Sequence, residues 1–336
     1  MKCLYCGMQI SDHASADEKS WCWHKKCIKD FFHVKDMPVL DITKEQLEKL
    51  ANETVNEGIT IPGVQKKLSL HLSCDMNARL TIVDYPTGYI LKPQTEEFKN
   101  MPEFEDLAMR LAEIMGIQTV PHALIKMNGE YAYITKRIDR DITGEKIRLY
   151  AMEDFCQLSR RLTQDKYRGS YENCGRIIKK YSEIPGVDLS ELFLRVVGSF
   201  VMGNSDMHLK NFSLRETEPG NRKFHLSKAY DMLPVNVIMP EDQEQLALTI
   251  NGKKRNIHRK EFLILAESCG LMPKVAEHII AKVCGLKEKF LKQVDEAYLS
   301  ENQKEKVKEL IVERIEILKK EPRLRSKMEF TLAKIE

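Results

Sequence analysis

The sequence predicts an α+β fold with two lobes, a small β-rich lobe followed by a larger α-helical lobe, and a small Cys/His module before both. Three observations predict this layout. Four of the nine cysteines fall within the first 27 residues. Short strand-like runs occupy residues 60–138, and the apolar pattern becomes helical from residue 153 onward. We place the module at residues 1–35, the β-rich lobe at 36–135 and the helical lobe at 136–336.

The composition excludes several classes of protein. The 53 basic and 50 acidic residues leave a net charge of +3, and 43% of the 336 residues are apolar, which is enough for a buried core. No run approaches the ~20 apolar residues of a membrane span, and the start lacks the apolar segment of a secretory signal. A pI near 8.2 is too mild to make nucleic acid the main ligand. We therefore expect a cytoplasmic protein that binds neither membrane nor nucleic acid directly.

The cysteine-rich start predicts a zinc site. Cys3 and Cys6 form C-x-x-C, and C-x-H-x-x-C follows at Cys22, His24 and Cys27. Two such pairs can complete a tetrahedral Zn²⁺ site, and the spacing leaves the fourth ligand open between His24 and Cys22. A redox C-x-x-C or four separate thiols is the alternative. A disulfide framework is disfavoured by the odd number of cysteines, and we expect the other five to be small core residues: Cys74, Cys156, Cys174, Cys269 and Cys284.

The β-rich lobe is predicted from alternation and turn signals. A capping box, Thr43-x-x-Gln46, begins a helix that runs to about Val55. Short antiparallel strands follow at residues 68–72, 80–83 and 88–91, joined by turns at 75–77 and 85–88. Pro102 begins a helix that ends at Gly116, and strands 123–127 and 130–138 form a hairpin at Asn128-Gly129.

The helical lobe is centred on residues 191–202, which are apolar on most sides and predict a buried helix ending at Gly203-Asn204. Strand-like runs at 211–214 and 223–226 follow. Helices are predicted at residues 260–267, 273–284, 288–298 and 302–320.

Five segments carry side chains suited to phosphoryl transfer. They are a glycine turn (Pro62, Gly63, Val64, Gln65, Lys66, Lys67), Lys92 at the end of an apolar strand, Glu105 on the following helix, a polar loop (Asp206, His208, Lys210, Asn211), and Tyr230-Asp231 after a short strand. Each has an ordinary explanation when taken alone: a chain turn, a surface lysine, a helix-start glutamate or a turn aspartate. Only the polar loop stands out, because a purely structural turn would not need Asp, His, Lys and Asn together.

The order of these segments predicts phosphoryl transfer. A protein kinase needs a cover over the phosphates, a lysine on them, a base for the hydroxyl and two oxygen ligands for Mg²⁺. Asp206 and Asn211 are five residues apart, the spacing between the base and the metal-binding Asn of kinase catalytic loops. Amide and carboxylate oxygens suit Mg²⁺. Glu105 is placed where its carboxylate could pair with Lys92.

Six motifs, in the same order, resemble those of the HipA-like serine/threonine kinase toxins over residues 58 to 300. The motifs are Gly63-Val64-Gln65-Lys66-Lys67-Leu68-Ser69-Leu70, Tyr89-Ile90-Leu91-Lys92-Pro93, Lys136-Arg137-Ile138-Asp139-Arg140, Glu153-Asp154-Phe155-Cys156-Gln157, the loop 203–211, and Tyr230-Asp231. The resemblance implies a protein-kinase-like fold that uses ATP and Mg²⁺.

The resemblance also implies roles for single residues. Segment 62–67 would cover ATP, Lys92 would bind phosphate, and Lys136, Arg137 and Ile138 would contact adenine through their backbone. Asp206 would be the base, residues 208–211 would contact phosphate and metal, and Asp231, preceded by Tyr230, would be the second Mg²⁺ ligand. For the zinc site, the resemblance favours the pair formed by His24 and Cys27.

The chain also departs from the family pattern. Lys136-Arg137-Ile138 stands where the familiar motif has Glu-Arg-Phe, so adenine stacking is expected to differ. A loop serine whose autophosphorylation switches the family kinase off aligns near Thr60, and Ser69 is a second candidate. The amino-terminal β-domain of the longest members is replaced by the Cys/His module, a pattern of shortened members that rely on a separately encoded antitoxin.

Three functions remain open at this point. The first is a kinase toxin that phosphorylates a cellular protein to arrest growth; related kinases modify aminoacyl-tRNA synthetases. The second is an inactive kinase-like module that binds a partner, against which Lys92, Asp206, Asn211 and Asp231 all argue. The third is a zinc-ribbon nucleic-acid binder, against which the near-neutral charge argues.

Overall fold

The computed structural model describes residues 1–40, 42, 67–73, 78–81, 87–142 and 147–320. Several predictions fall outside these residues and are not addressed by the structure. They are the helix at 43–55, Thr60, the segment Pro62 to Lys66, Cys74, and the turns at 75–77 and 85–86.

The Cys/His module contains two short helices, α1 (Ala16–Trp21) and α2 (Lys25–Phe32). Ser15 and Glu18 form a reciprocal capping box at the start of α1. The aromatic side chains of Trp23, Phe31 and Phe32 are fully buried against the neighbouring sheet, and the Trp23 indole N–H donates to the Leu124 carbonyl at 3.1 Å. The module is therefore packed onto the β-rich lobe rather than attached as an appendage.

The β-rich lobe is a six-stranded sheet with one helix. Its strand order is β1-β3-β2-β4-β6-β5, antiparallel except for the parallel β1–β3 pair. The strands are β1 (Val39–Leu40), β2 (Leu68–Ser73), β3 (Arg79–Thr81), β4 (Tyr89–Lys92), β5 (His122–Met127) and β6 (Glu130–Lys136). The predicted hairpin is confirmed, because Asn128 (φ 50°) and Gly129 (φ 86°) both adopt the positive φ of a two-residue turn.

Helix α3 (Met101–Met115) packs on this sheet and agrees with the predicted helix. Pro102 occupies its first turn, and Gly116 ends it at φ 92°. The apolar side chains of this helix, from Phe104 to Met115, are buried.

Two small sheets connect the lobes. One pairs β7 (Arg140–Asp141) with β8 (Arg148–Leu149). The other has the order β11-β10-β9 and contains β9 (Met152–Asp154), β10 (Ser213–Glu216) and β11 (Phe224–Leu226). The strand predicted at 211–214 begins later than expected, because Leu209–Asn211 forms a 3₁₀ turn.

The helical lobe surrounds α6 (Pro185–Met202), which begins six residues before the predicted residue 191 because Pro185 starts its first turn. Gly203 ends α6 at φ 75°, and a Cβ there would lie 2.3 Å from Leu310 Cδ2, so only glycine fits. The other helices are α4 (Phe155–Leu158), α5 (Tyr171–Tyr181), α7 (Val235–Ile238), α8 (Arg259–Ser268), α9 (Pro273–Gly285), α10 (Lys287–Asp295) and α11 (Glu301–Lys319). Within the described ranges, no helix is both long and apolar enough to span a membrane.

Candidate active site

A cleft of 370 Å³ lies where the sheet meets the helical lobe. It brings together residues from both lobes that are far apart in the sequence: Lys67, Lys92, Glu105, Lys210, Tyr230 and Asp231. All six were singled out from the sequence.

A buried ion network forms the floor of this cleft. Lys92 Nζ lies 2.5 Å from Glu105 Oε1 and 2.5 Å from Asp231 Oδ1. Lys92 is 3% exposed and Glu105 is fully buried. Burial alone would lower the pKa of Lys92, but the two carboxylates outweigh it and raise the pKa, so the side chain is an ammonium.

Asp231 is held between two cations. Lys67 Nζ lies 2.5 Å from Asp231 Oδ2, on the opposite oxygen from Lys92. Burial would raise the pKa of Asp231, but Lys67 and Lys92 together hold it well below its usual range. Asp231 also has φ 60°, a left-handed conformation that Asp and Asn tolerate better than most residues. The carboxylate is therefore ionised and fixed in direction.

The polar loop after α6 holds Asp206 close enough to the cleft residues Asp231 and Lys67 for both to influence its pKa. Asn211 Nδ2 donates to the Asp206 carbonyl at 2.9 Å, and the Asp206 amide donates to Asn204 Oδ1 at 3.2 Å. The Tyr167 hydroxyl donates to Asp206 Oδ1 at 2.5 Å. Burial raises the pKa of Asp206, even though 40% of its side chain is exposed. The hydrogen bond from Tyr167 partly opposes this rise.

The remaining loop residues differ in how they face the cleft. His208 is buried, and burial lowers its pKa to about 3, so its imidazole is neutral and does not offer a positive charge. Lys210 lines the cleft and its ammonium binds Asp154 Oδ2 at 2.7 Å. The Tyr230 hydroxyl donates to the Lys210 carbonyl at 3.1 Å and so positions the backbone of the loop.

The connecting segment 136–138 lines the cleft, and each of its three residues also has a partner within the protein. Lys136 Nζ lies 3.0 Å from His33 Nε2 and donates to the Asp30 carbonyl in the Cys/His module. Arg137 binds the carboxylate of Asp139. The Ile138 carbonyl accepts a hydrogen bond from the Arg215 guanidinium. Ser69, the second autophosphorylation candidate, is exposed on β2.

Three residues of the site carry no sequence signal of their own. Tyr167 belongs to a polar stretch without periodicity, and Arg215 is one charged residue of a short strand. Asp154 lies in one of the motifs that resemble the family, but that resemblance implies no role for it. In the structure its side chain accepts a hydrogen bond from the Gln157 amide and caps a helix. Their contacts are tertiary, so only the folded arrangement identifies them.

A second candidate site lies in the Cys/His module. Single ligand atoms of Cys3, Cys6, His24 and Cys27 all lie within 4.8 Å of one another. His24 Nδ1 faces Cys6 Sγ at 3.4 Å and Cys27 Sγ at 3.7 Å, whereas Nε2 lies 3.2 Å from the Gln9 carbonyl. A metal-binding histidine is commonly oriented by such a second hydrogen bond. Cys22 Sγ instead faces Met1 Sδ and the Lys19 carbonyl, outside this cluster.

The chain is similar in sequence to proteins that are named as kinases. A protein of Sinorhizobium fredii named "Putative kinase Y4mE" is 30% identical over 202 residues, which is 58% of this chain and 46% of that protein. A protein of Haemophilus influenzae named "Putative kinase" is 27% identical over 194 residues, 54% of each chain. The chain thus spans about half the length of the curated relatives it matches.

A solved structure has a similar fold. The HipA toxin of Shewanella oneidensis, solved in complex with HipB and operator DNA, matches with a TM-score of 0.63 at 18% identity, covering 79% of this chain and 68% of that chain. This similarity confirms the predicted two-lobed, protein-kinase-like α+β fold. Residues 59–290 match the family described as HipA-like C-terminal domain. Since that match covers more than half of the chain, the protein belongs to the HipA-like C-terminal domain family.

Proposed function

We propose that this protein is an ATP- and Mg²⁺-dependent serine/threonine protein kinase. The observation that carries the proposal is the meeting of Lys92, Glu105 and Asp231 in one cleft, next to the loop that holds Asp206 and Asn211. A module that only binds a partner gains nothing from burying an ammonium between two carboxylates, which has a large desolvation cost. Kinase chemistry, by contrast, uses such a lysine to orient phosphate.

Asp206 is the proposed general base. Its side chain is 40% exposed, so a Ser or Thr hydroxyl of a substrate could approach the carboxylate, and its raised pKa improves its ability to accept a proton. Tyr167 fixes the carboxylate through one oxygen, and Asn211 and Asn204 fix its backbone. The position of the carboxylate is thus set before substrate binds.

The residues present fit a nucleotide and its metal. Asp231 and Asn211 offer carboxylate and amide oxygens, the ligands that Mg²⁺ prefers, and a bound Mg²⁺ would neutralise phosphate charge. Lys92, Lys67 and Lys210 supply ammonium groups on the same cleft for phosphate oxygens. His208 contributes to the packing of Tyr167, with ring centroids 5.0 Å apart, and as a neutral group it is not a phosphate cation. The segment 62–67 remains the proposed cover, and 136–138 the proposed adenine contact.

We also propose that Cys3, Cys6, His24 and Cys27 hold one structural Zn²⁺. Three thiolates and one imidazole are a common closed tetrahedral set. The module that they would stabilise contacts segment 136–138 through Lys136 and the sheet through Trp23, so its role is to support the lobe that carries the cleft.

The biological role that we propose is growth arrest through phosphorylation of a cellular protein, with an aminoacyl-tRNA synthetase as the first substrate to examine. The solved HipA relative is a complex with HipB. By analogy we propose that a separately encoded antitoxin protein binds this chain. The boundaries 1–35, 36–135 and 136–336 are retained as the proposed domains.

Phosphoproteomics tests this function. Cells expressing the wild-type chain should gain phosphorylated Ser or Thr sites on a small set of proteins and stop growing, whereas cells expressing Asp206→Asn at the same level should do neither. Growth arrest by both chains, without new phosphorylation sites in either, would favour a kinase-like binding module instead.

A further inference from the structure

A second cavity of 510 Å³ lies on the other side of the connecting segment from the cleft. The two cavities share Lys136, Arg137, Ile138 and Tyr150, so the segment forms a wall between them. The second cavity contains none of the ion network of Lys92, Glu105 and Asp231. The cavity is lined by residues of α6 and β11 and by Ser227 and Lys228, which follow β11.

Arg195 of α6 lies in this cavity with part of its guanidinium unsatisfied. The side chain is 1% exposed. Nε donates to Glu191 Oε1 at 2.9 Å and Nη2 donates to the Ser227 carbonyl at 2.7 Å, but Nη1 has no partner among the residues that the structure describes. Leaving a buried donor of a charged group unpaired is unfavourable, so Nη1 points to a ligand that supplies the acceptor.

The electrostatic environment of Arg195 also favours an anionic ligand. Burial lowers the pKa of its guanidinium, and the nearby carboxylate of Glu191 only partly opposes this. His225 of β11 also lines the cavity, and its Nε2 has no hydrogen-bond partner among the described residues. Arg195 on α6 and His225 on β11 therefore line the same cavity, and each has a ring or guanidinium nitrogen without a hydrogen-bond partner among the described residues.

The lining carries an excess of positive charge. Six cationic side chains line the cavity: Lys136, Arg137, Arg140, Arg195, Arg215 and Lys228. Three carboxylates oppose them, of which Asp141 binds Arg148 and Asp188 accepts from Ser182 and the Leu226 amide. Arg137 and Arg140 bind Asp139, but even without these two, the cations outnumber the carboxylates.

The rim of the cavity is apolar. Ile184 and Val187, at the start of α6, are 47% and 64% exposed, and Ile138 and Leu226 line the interior. A simple inorganic anion would leave these side chains in water. The volume is within the range of small-molecule sites, which is roughly 300–1,000 Å³.

We propose that this cavity binds a small organic phosphate, with Arg195 Nη1 and His225 contacting the phosphate and the aliphatic rim contacting the organic part. A planar guanidinium with an unpaired N–H group can donate charge-assisted hydrogen bonds to phosphate oxygens. A ligand here would lie behind the segment that we propose to contact adenine, and α6 connects its site to the start of the Asp206 loop.

Calorimetric titration with phenyl phosphate tests the proposal, since this probe joins an apolar ring to one phosphate. The full-length protein is first saturated with a non-hydrolysable ATP analogue and Mg²⁺, and ionic strength is held constant. We expect a single saturable site for phenyl phosphate, weaker binding of inorganic phosphate and no binding of phenol. The measurement needs no catalysis, so it can succeed or fail independently of the kinase proposal.

Variants locate the site. Arg195→Gln should weaken phenyl phosphate binding about tenfold, the effect of one lost charge-assisted hydrogen bond. The double variant His225→Ala/Lys228→Ala, which leaves α6 unchanged, should weaken it similarly even if Arg195→Gln folds poorly. Lys223→Ala, an exposed lysine of the same β10–β11 hairpin outside the cavity, is the matched control and should bind as the wild type does. Absence of saturable binding, equal affinity in the double variant and the control, or binding of the probe only when the ATP analogue is left out would overturn the proposal.

Discussion

The ammonium of Lys92 lies 2.5 Å from the carboxylate of Asp231, although 139 residues separate them in the sequence. Lys92 ends strand β4 of the small sheet, whereas Asp231 follows β11 of the connecting sheet. The backbone brings them together, because Ala229 forms a parallel bridge with Thr119 just before β5. Its amide donates to the Gln118 carbonyl at 2.7 Å and its carbonyl accepts from Val120 at 2.9 Å. The segment that carries Asp231 is thereby fixed to the small lobe.

Removing Lys92 should destabilise the fold as well as impair nucleotide binding. Lys92→Met leaves Glu105 fully buried without a counter-ion, and breaking a buried pair in this way costs about 3–5 kcal/mol. Chemical denaturation followed by circular dichroism measures the loss in free energy of unfolding.

The double variant Lys92→Met/Glu105→Leu separates charge from packing. Because it removes both members of the buried pair, it should recover most of the stability lost by Lys92→Met, while nucleotide binding stays weak. Equal stability of the single variant and the wild type would show that the pair is not buried as described.

Asp231→Asn should give a metal-dependent defect. Asn tolerates the left-handed backbone at this position, so the fold should persist. The substitution replaces a carboxylate ligand by an amide, and transfer of phosphate should therefore need more Mg²⁺. Titration of activity against Mg²⁺ should show partial rescue of Asp231→Asn and none of Asp206→Asn, and superimposable curves would contradict this division of roles.

Tyr167→Phe should move the acid side of the pH–rate profile to higher pH. The Tyr167 hydroxyl hydrogen bond lowers the pKa of Asp206 against the opposing effect of burial. Without it the pKa of Asp206 rises, so the carboxylate is protonated, and activity is lost, at a higher pH than in the wild type. Tyr181→Phe, an exposed tyrosine of the same lobe, should leave the kcat/KM profile where it is. An unshifted profile for Tyr167→Phe would separate Tyr167 from the base.

Zinc content should depend on one set of cysteines. Elemental analysis should find about one zinc per chain, since the four ligands form one closed site. Cys3→Ser should remove the zinc and lower the thermal stability of the small lobe, because Trp23, Phe31 and Phe32 pack from this module into the sheet. Cys22→Ser is the matched control, since Cys22 lies outside the ligand cluster, and it should keep the metal. Loss of zinc from Cys22→Ser but not from a His24 variant would assign the fourth ligand to Cys22 instead.

Much of the fold could be predicted because local signals agreed with the tertiary structure. Pro102 and Gly116 bracket α3, and the Asn128-Gly129 turn sets the β5–β6 register, so sequence spacing alone predicted these elements well. The start of α6 lies earlier than the apolar pattern predicts, since residues 185–190 are only partly apolar and the helix begins at Pro185.

The candidate site was only partly predictable. The pairing of Lys92 with Glu105 could be predicted because strand β4 and helix α3, which carry them, are consecutive in the sequence. The structure contains this pair. The contact of Tyr167 with Asp206 and that of Lys210 with Asp154 depend on how distant loops fold back, which no periodicity encodes. The neutral state of His208 arises from burial, a tertiary property that its sequence neighbours do not indicate. The aromatic residues of the Cys/His module share the core of the neighbouring sheet, a tertiary contact that the cysteine spacing does not indicate.

The most direct test of the central claim is the rate of γ-phosphoryl transfer from radiolabelled ATP to protein Ser or Thr, compared between the wild type and Asp206→Asn. Asp165→Asn, which alters a surface pair with Arg168, is the control for a general effect of losing a carboxylate. We predict that Asp206→Asn binds ATP as tightly as the wild type but transfers phosphate roughly 10²–10⁴-fold more slowly, the usual contribution of a general base. Transfer by Asp206→Asn at the wild-type rate would contradict the assignment of this cleft as a kinase active site with Asp206 as its base.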